Sequence, residues 1–139
     1  MKENLSGTLA IDLGNTNTVI AFQEQKDINS ILVEIPNITS SPGVIPTAVW
    51  FEENSNILKI GVNALKMRNN SDADLFFHSN FKRLIGNPIE KISQKNILSP
   101  KECGEKFIKF LWVNIPQKYK VKRLVLTAPI DTYKGYREW

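Results

Sequence analysis

The stretch LAIDLGNTNTVIAF, Leu9 to Phe22, constrains this chain more than any other: a β-forming apolar run is broken by Asp-Leu-Gly-Asn-Thr-Asn and then resumes. Val, Ile and Phe favour strands, whereas Gly, Asn and Asp accept the positive φ angles of hairpin turns, so the pattern predicts two antiparallel strands around a tight turn. The same residues suit a second task. A glycine lets the backbone approach a ligand closely, neighbouring amides can face an anion, and an Asp ahead of the turn can hold a metal through its water shell. On the residues alone both readings stand, with Asp12 and Thr16 either ordinary hairpin residues or parts of a phosphate site.

Downstream, SILVEIPN predicts a third strand from Ser30 to Ile35, completing a small antiparallel sheet. Pro42-Gly43 in SSPGVIPTAVWF marks a turn leading into a strand over Thr47 to Phe51, and NILKIG a short strand after Asn54-Ser55. From Gly61 the period changes. Ala64, Leu65 and Met67 suggest a short helix, and DADLFFHSNFKRLIG aligns Leu75, Phe76, Phe77, Phe81, Leu84 and Ile85 on one helical face closed by Gly86, with Lys82 and Arg83 at its end.

ILSPKECGEKFIKFLWVN carries a helix start: Ser99 as N-cap, Pro100 at the first helical position and Glu102 completing a capping box. Its buried stripe is Phe107, Phe110 and Leu111, with Trp112 a further candidate. VKRLVLTAP predicts a continuous apolar strand, Leu124 to Ala128, of the kind buried on both faces and stopped by Pro129. IDTYKGYREW then has the pattern of the first turns of a helix. An element cut in its middle leads to the expectation that the chain is a fragment of a longer protein.

With 139 residues, 42% of them hydrophobic, there is material for one core. Lys and Arg outnumber Asp and Glu by 18 to 14, which permits an anionic ligand. The basic groups lie apart, and the densest, Lys118 to Arg123, is accounted for by a solvated strand entrance, so no nucleic-acid partner is expected. One cysteine and one histidine exclude an internal disulfide, a cysteine metal cluster and a zinc-binding histidine pair. No signal-peptide core or membrane-length apolar run is present, and the expected location is cytoplasmic, without membrane partners.

AIDLGNTNTVIAF, PGVIPTAVWF, GVNALK, FKRLIG and VLTAPIDTYKGYR occur in the order and rough spacing seen at the start of the ATPase domain of the seventy-kilodalton heat-shock chaperones, the DnaK-like family, which this chain resembles from about Thr8 to Arg137. FKRLIG is the most specific segment, because the wider actin, hexokinase and sugar-kinase superfamily shares the first phosphate turn but not that segment. The resemblance implies an α/β fold: a ribonuclease-H-like lobe I of the ATPase with a small α+β outer subdomain. Residues 1–38 and 119–139 would form the inner subdomain and 39–118 the outer one. It gives Asp12 the task of holding Mg2+ through water, and makes Gly14, Asn15, Thr16 and Asn17 the first phosphate loop. Lys82 becomes the catalytic residue that approaches the γ-phosphate and the attacking water, where positive charge stabilises charge building on the transferring oxygens. Pro129 and Arg137 match a switch proline and its arginine reporter. The implied cofactors are ATP or ADP with Mg2+; the implied partners of the parent are unfolded polypeptides, a J-domain co-chaperone and a nucleotide exchange factor.

The chain departs from the family pattern in three places. Asn15-Thr16 stands where two successive threonines are usual, and IDTYKGY differs from the family's usual segment before the arginine. The stretch between Gly86 and Ser99 is shorter than typical, implying a trimmed outer hairpin. The second phosphate loop and the adenosine-binding segment are not within these residues, so the fragment alone is expected to be catalytically inert. Two alternatives follow: a pseudo-ATPase that senses nucleotide or acts as a scaffold, and a small-molecule kinase of the same superfamily.

Overall fold

The hairpin forms where the alternation demands it. In the computed structural model, which describes residues 4–72, 74–87, 97–129 and 134–139, β1 (Leu5–Asp12) pairs antiparallel with β2 (Asn17–Glu24), Leu9 opposite Phe22 and Asp12 opposite Val19. Leu9, Ile11, Ile20 and Phe22 are at most 1% exposed, as the period-two pattern requires of a half-buried sheet. β3 (Ser30–Leu32) extends the sheet antiparallel to β2. It is shorter than the Ser30 to Ile35 expected, although Val33 and Ile35 beyond it are still buried.

β4 (Val44–Pro46), which the sequence pattern does not mark as a strand, pairs with the start of β2. β5 (Ala48–Glu52) and β6 (Ile57–Ile60) form a second sheet, followed by α1 (Gly61–Asn69), close to where they were expected.

The stretch expected to be one helix closed by Gly86 is not one. It divides into a 3-10 turn at Asp74–Phe76, the strand β7 (Phe77–Ser79) on the edge of the second sheet, and a further 3-10 turn at Lys82–Leu84. Two forces decide against the helix. β5 offers a ladder partner, Trp50 to Phe77 and Ala48 to Ser79, and Asn80 sits at φ 57°, a left-handed conformation no α-helix can contain. The apolar residues therefore serve two cores: Phe76 lies against Trp50 with rings 5.6 Å apart, whereas Phe81 packs on Phe107 at 6.2 Å and Ile85 is fully buried. Leu75 and Leu84, assigned to the buried face, are about half exposed.

α2 (Pro100–Val113) begins with the anticipated capping box: Glu102 N–H donates to Ser99 Oγ at 3.2 Å and Ser99 N–H to Glu102 Oε2 at 2.8 Å. Phe107 and Leu111 are fully buried, and Trp112 points outward. The chain then enters β8 (Tyr119–Leu126), parallel to β1, giving the strand order β3-β2-β1-β8. Here a second expectation fails. Leu124, Val125 and Leu126 are 42–56% exposed rather than buried on both faces; among the described residues β8 has β1 on one side and no strand on the other. α3 (Lys134–Glu138) ends the chain; the start of the expected last helix, residues 130–133, and most of the stretch expected to be trimmed, residues 88–96, lie outside the described residues. The protein is thus a mixed α/β structure. Among the described residues no helix is long and apolar enough to cross a membrane.

Cys103 on α2 gives the core a chemical reporter. Burial, reinforced by the neighbouring Glu102, pushes its thiol from 9.0 up to about 12. The folded state therefore retains a proton that the unfolded chain releases first. Stability from this group is complete below about pH 9 and falls by about 1.4 kcal/mol per pH unit from there to about pH 12. Urea unfolding at pH 8, 9.5 and 10.5 is expected to show this decline in the native chain and a shallower one in Cys103→Ala; equal slopes would contradict the burial of the thiol.

Candidate functional site

β1 and β8 run parallel, so their carboxyl ends open on the same edge of the sheet, where α/β proteins commonly place ligands. Asp12 ends β1 with its side chain exposed, and Thr127, one residue past β8, donates its hydroxyl to Asp12 Oδ1 at 2.5 Å. That bond holds one carboxylate oxygen and orients the other. Tyr136 of α3 is buried nearby, its phenol raised above the ordinary value by burial and then by the Asp12 charge.

The turn after Asp12 is pinned from several sides. Leu13 is buried beneath it, and a side chain at Gly14 would meet the Asn17 carbonyl oxygen at 1.9 Å, so only glycine allows this closure. The Thr16 carbonyl accepts from Thr47 N–H at 2.9 Å, and the Thr18 and Thr47 hydroxyls share a buried hydrogen bond of 2.8 Å. Asn15 Nδ2 donates to Asn80 Oδ1 at 3.0 Å, tying the turn to the segment just before Lys82. Among the described residues no hydrogen bond engages the amides of Gly14, Asn15 or Thr16. Consecutive open amides in a rigid turn are what an oxyanion needs, since unpaired donors gain most from a charged acceptor.

Lys82 opens the second 3-10 turn, anchored by Phe81 before it and Ile85 after it, and is half-buried with no ion pair among the described residues. Asp12, Gly14, Asn15, Thr16, Asn17 and the Lys82 segment therefore form one neighbourhood. Pro129 lies half-buried three residues beyond β8, and Arg137 is exposed on α3, lining a cleft of about 380 Å³ walled by Ile11, Ile108, Leu126, Tyr136 and Trp139. No hydrogen bond or ion pair joins Pro129 to Arg137 among the described residues.

Among the described residues no group of three or more His, Cys, Asp or Glu side chains is assembled for a metal. The donor set at the turn, one exposed carboxylate, fits Mg2+ that keeps most of its waters and shares its remaining positions with ligand phosphates.

Sequence reasoning missed Thr127, Asn80 and Tyr136. Thr127 was recoverable, because a parallel pairing of LAID with LVLT brings it beside Asp12; its backbone N–H donates to the Ile11 carbonyl at 3.2 Å. Asn80 and Tyr136 act across 65 and 124 residues of chain, and no local signal marks them. No protein-family model matches this chain, and no curated protein matches it.

Proposed function

We propose that this chain is the first nucleotide-binding lobe of a DnaK-like ATPase, of ribonuclease-H-like fold. The strand order, three antiparallel strands with β8 added parallel to β1, supports the fold. The function rests on one observation: three successive open amides, Gly14 to Thr16, stand between the Asp12 carboxylate and the Asn80–Lys82 segment. On this reading the amides receive phosphate oxygens and Asp12 holds hydrated Mg2+. Lys82 supplies positive charge where the γ-phosphate meets the attacking water. The lobe acts together with a second one, and closure of the pair over ATP is relayed through Pro129 and Arg137 to a domain that grips unfolded polypeptides. A J-domain co-chaperone, an exchange factor and a cytoplasmic location belong to the same reading.

Titrating Mg-ATP into the 15N-labelled chain is expected to shift the amides of Gly14, Asn15 and Thr16 before any others. Asp12→Asn is expected to weaken this binding by roughly tenfold, the value of one charge-assisted contact, and to remove its dependence on magnesium. Shifts that are absent at millimolar Mg-ATP, or confined to residues away from this turn, would overturn the reading.

A second reading is favoured by Asn15, whose side-chain amide is bonded to Asn80 at the position where the resembled family carries a threonine hydroxyl. A nucleotide sensor without turnover would bind Mg-ATP at the same amides and release no phosphate in its complete form.

A further inference from the structure

Asn15 and Asn80 each carry a local cost at opposite ends of one hydrogen bond. Asn80 holds φ 57°, a region that side chains other than Asn and Asp rarely enter. Asn15 donates through Nδ2, but its Oδ1 is buried with no hydrogen-bond partner among the described residues. A buried amide oxygen without a donor is under strong pressure to find one. The open donors closest in sequence are the backbone amides of its own turn, and an asparagine side chain can hydrogen-bond its own or a neighbouring backbone amide. That outcome would occupy the donors a phosphate requires.

Asn80 is held where it can prevent this. Ser79 before it is laddered to Ala48, and Phe81 after it is buried against Phe107. The left-handed residue between these two fixed points places Oδ1 in reach of Asn15 Nδ2.

We propose that Asn80 is a positioning residue: by accepting from Asn15 it holds the unsatisfied Asn15 oxygen off the turn amides and keeps them open for phosphate. The inference rests on the nucleotide reading. In this role Asn80 acts through Asn15, so its loss is curable at Asn15. That property separates a latch from a contact that merely stabilises the fold.

The test uses the 139-residue chain with Mg-ATP as probe, affinity being read from the amide shifts of Gly14 and Thr16. Asn80→Gly removes the side chain while tolerating the positive φ, so folding is preserved. It is expected to weaken Mg-ATP binding about 5–10-fold, the scale of one competing hydrogen bond. The double variant Asn15→Ala with Asn80→Gly is expected to bind Mg-ATP several-fold more tightly than Asn80→Gly alone, because the competing oxygen is gone. A double variant as weak as Asn80→Gly, or an Asn80→Gly chain that binds normally, overturns the latch while leaving the nucleotide reading intact. A native chain that does not bind Mg-ATP overturns the reading itself, and the latch with it.

Discussion

A Gly86→Ala substitution is expected to destabilise the fold by about 2–5 kcal/mol, combining the cost of a left-handed non-glycine residue with that of overpacking. Gly86 sits at φ +79°, and a Cβ there would lie 2.2 Å from the Tyr136 amide nitrogen and 2.4 Å from the Gly135 carbonyl carbon. Both atoms are backbone, so neither can swing aside as a side-chain tip would. Gly135 is equally committed, since its own Cβ would meet Gly86 Cα at 2.9 Å. FKRLIG and KGYR thus cross at two glycines, and separating them would withdraw Tyr136 from beside Asp12 and Trp139 from the surface of α2. Thermal unfolding followed by circular dichroism is expected to show a melting temperature lower by roughly 7–15 °C for a chain of this size. A contrast is Gly104→Ala, where the nearest obstacle is the Trp139 ring at 2.7 Å, a side chain that can move, and a smaller loss is expected. If Gly86→Ala melted within 2 °C of the native chain, the close crossing would be refuted.

That crossing illustrates which contacts a sequence can disclose. The β1–β2 hairpin and the capped start of α2 were legible because their causes are local: period-two burial around a glycine turn, and a serine whose side chain bonds an amide three residues on. The stretch from Asp74 to Gly86 was misread because its apolar spacing satisfies a helix and also satisfies two separate cores. Periodicity cannot tell these apart; the β5 edge and the left-handed Asn80 decide. Leu124 to Leu126 were misjudged for a related reason: an apolar run states what a strand can bury, whereas strand order determines what it does bury.

The candidate site divides along the same line. Asp12, Gly14 and the residues after them follow one another in the chain, so their turn could be read directly. Thr127, Asn80 and Tyr136 arrive through a parallel strand, a second sheet and a helix that crosses Gly86, which are tertiary facts. The meaning of Asn15 was altered most by the structure. In the sequence it is a departure from the two threonines usual in the resembled family; in the fold it is the residue through which the turn is tied to the Lys82 segment.

For Lys82 the expected effect is on chemistry rather than folding. In the two-lobed ATPase to which the proposed function assigns this chain, Lys82→Ala is expected to lower single-turnover hydrolysis by about 10²–10³-fold, the loss typical of removing one preorganised charge from a transition state. The side chain contributes little to the core: it is half-buried on a short 3-10 turn whose position depends on Phe81 and Ile85 rather than on the lysine itself. Its ammonium forms no ion pair among the described residues that would have to be broken before it could face a phosphate. Affinity for Mg-ADP, which lacks the group Lys82 is assigned to meet, is therefore expected to change by no more than a few fold. A rate loss without a matching loss of ADP affinity identifies an interaction made in the transition state. Parental turnover in Lys82→Ala would remove Lys82 from the chemistry. Equal losses of rate and of ADP affinity would instead make it a general phosphate contact, leaving the open amides of Gly14 to Thr16 as the firmer part of the site.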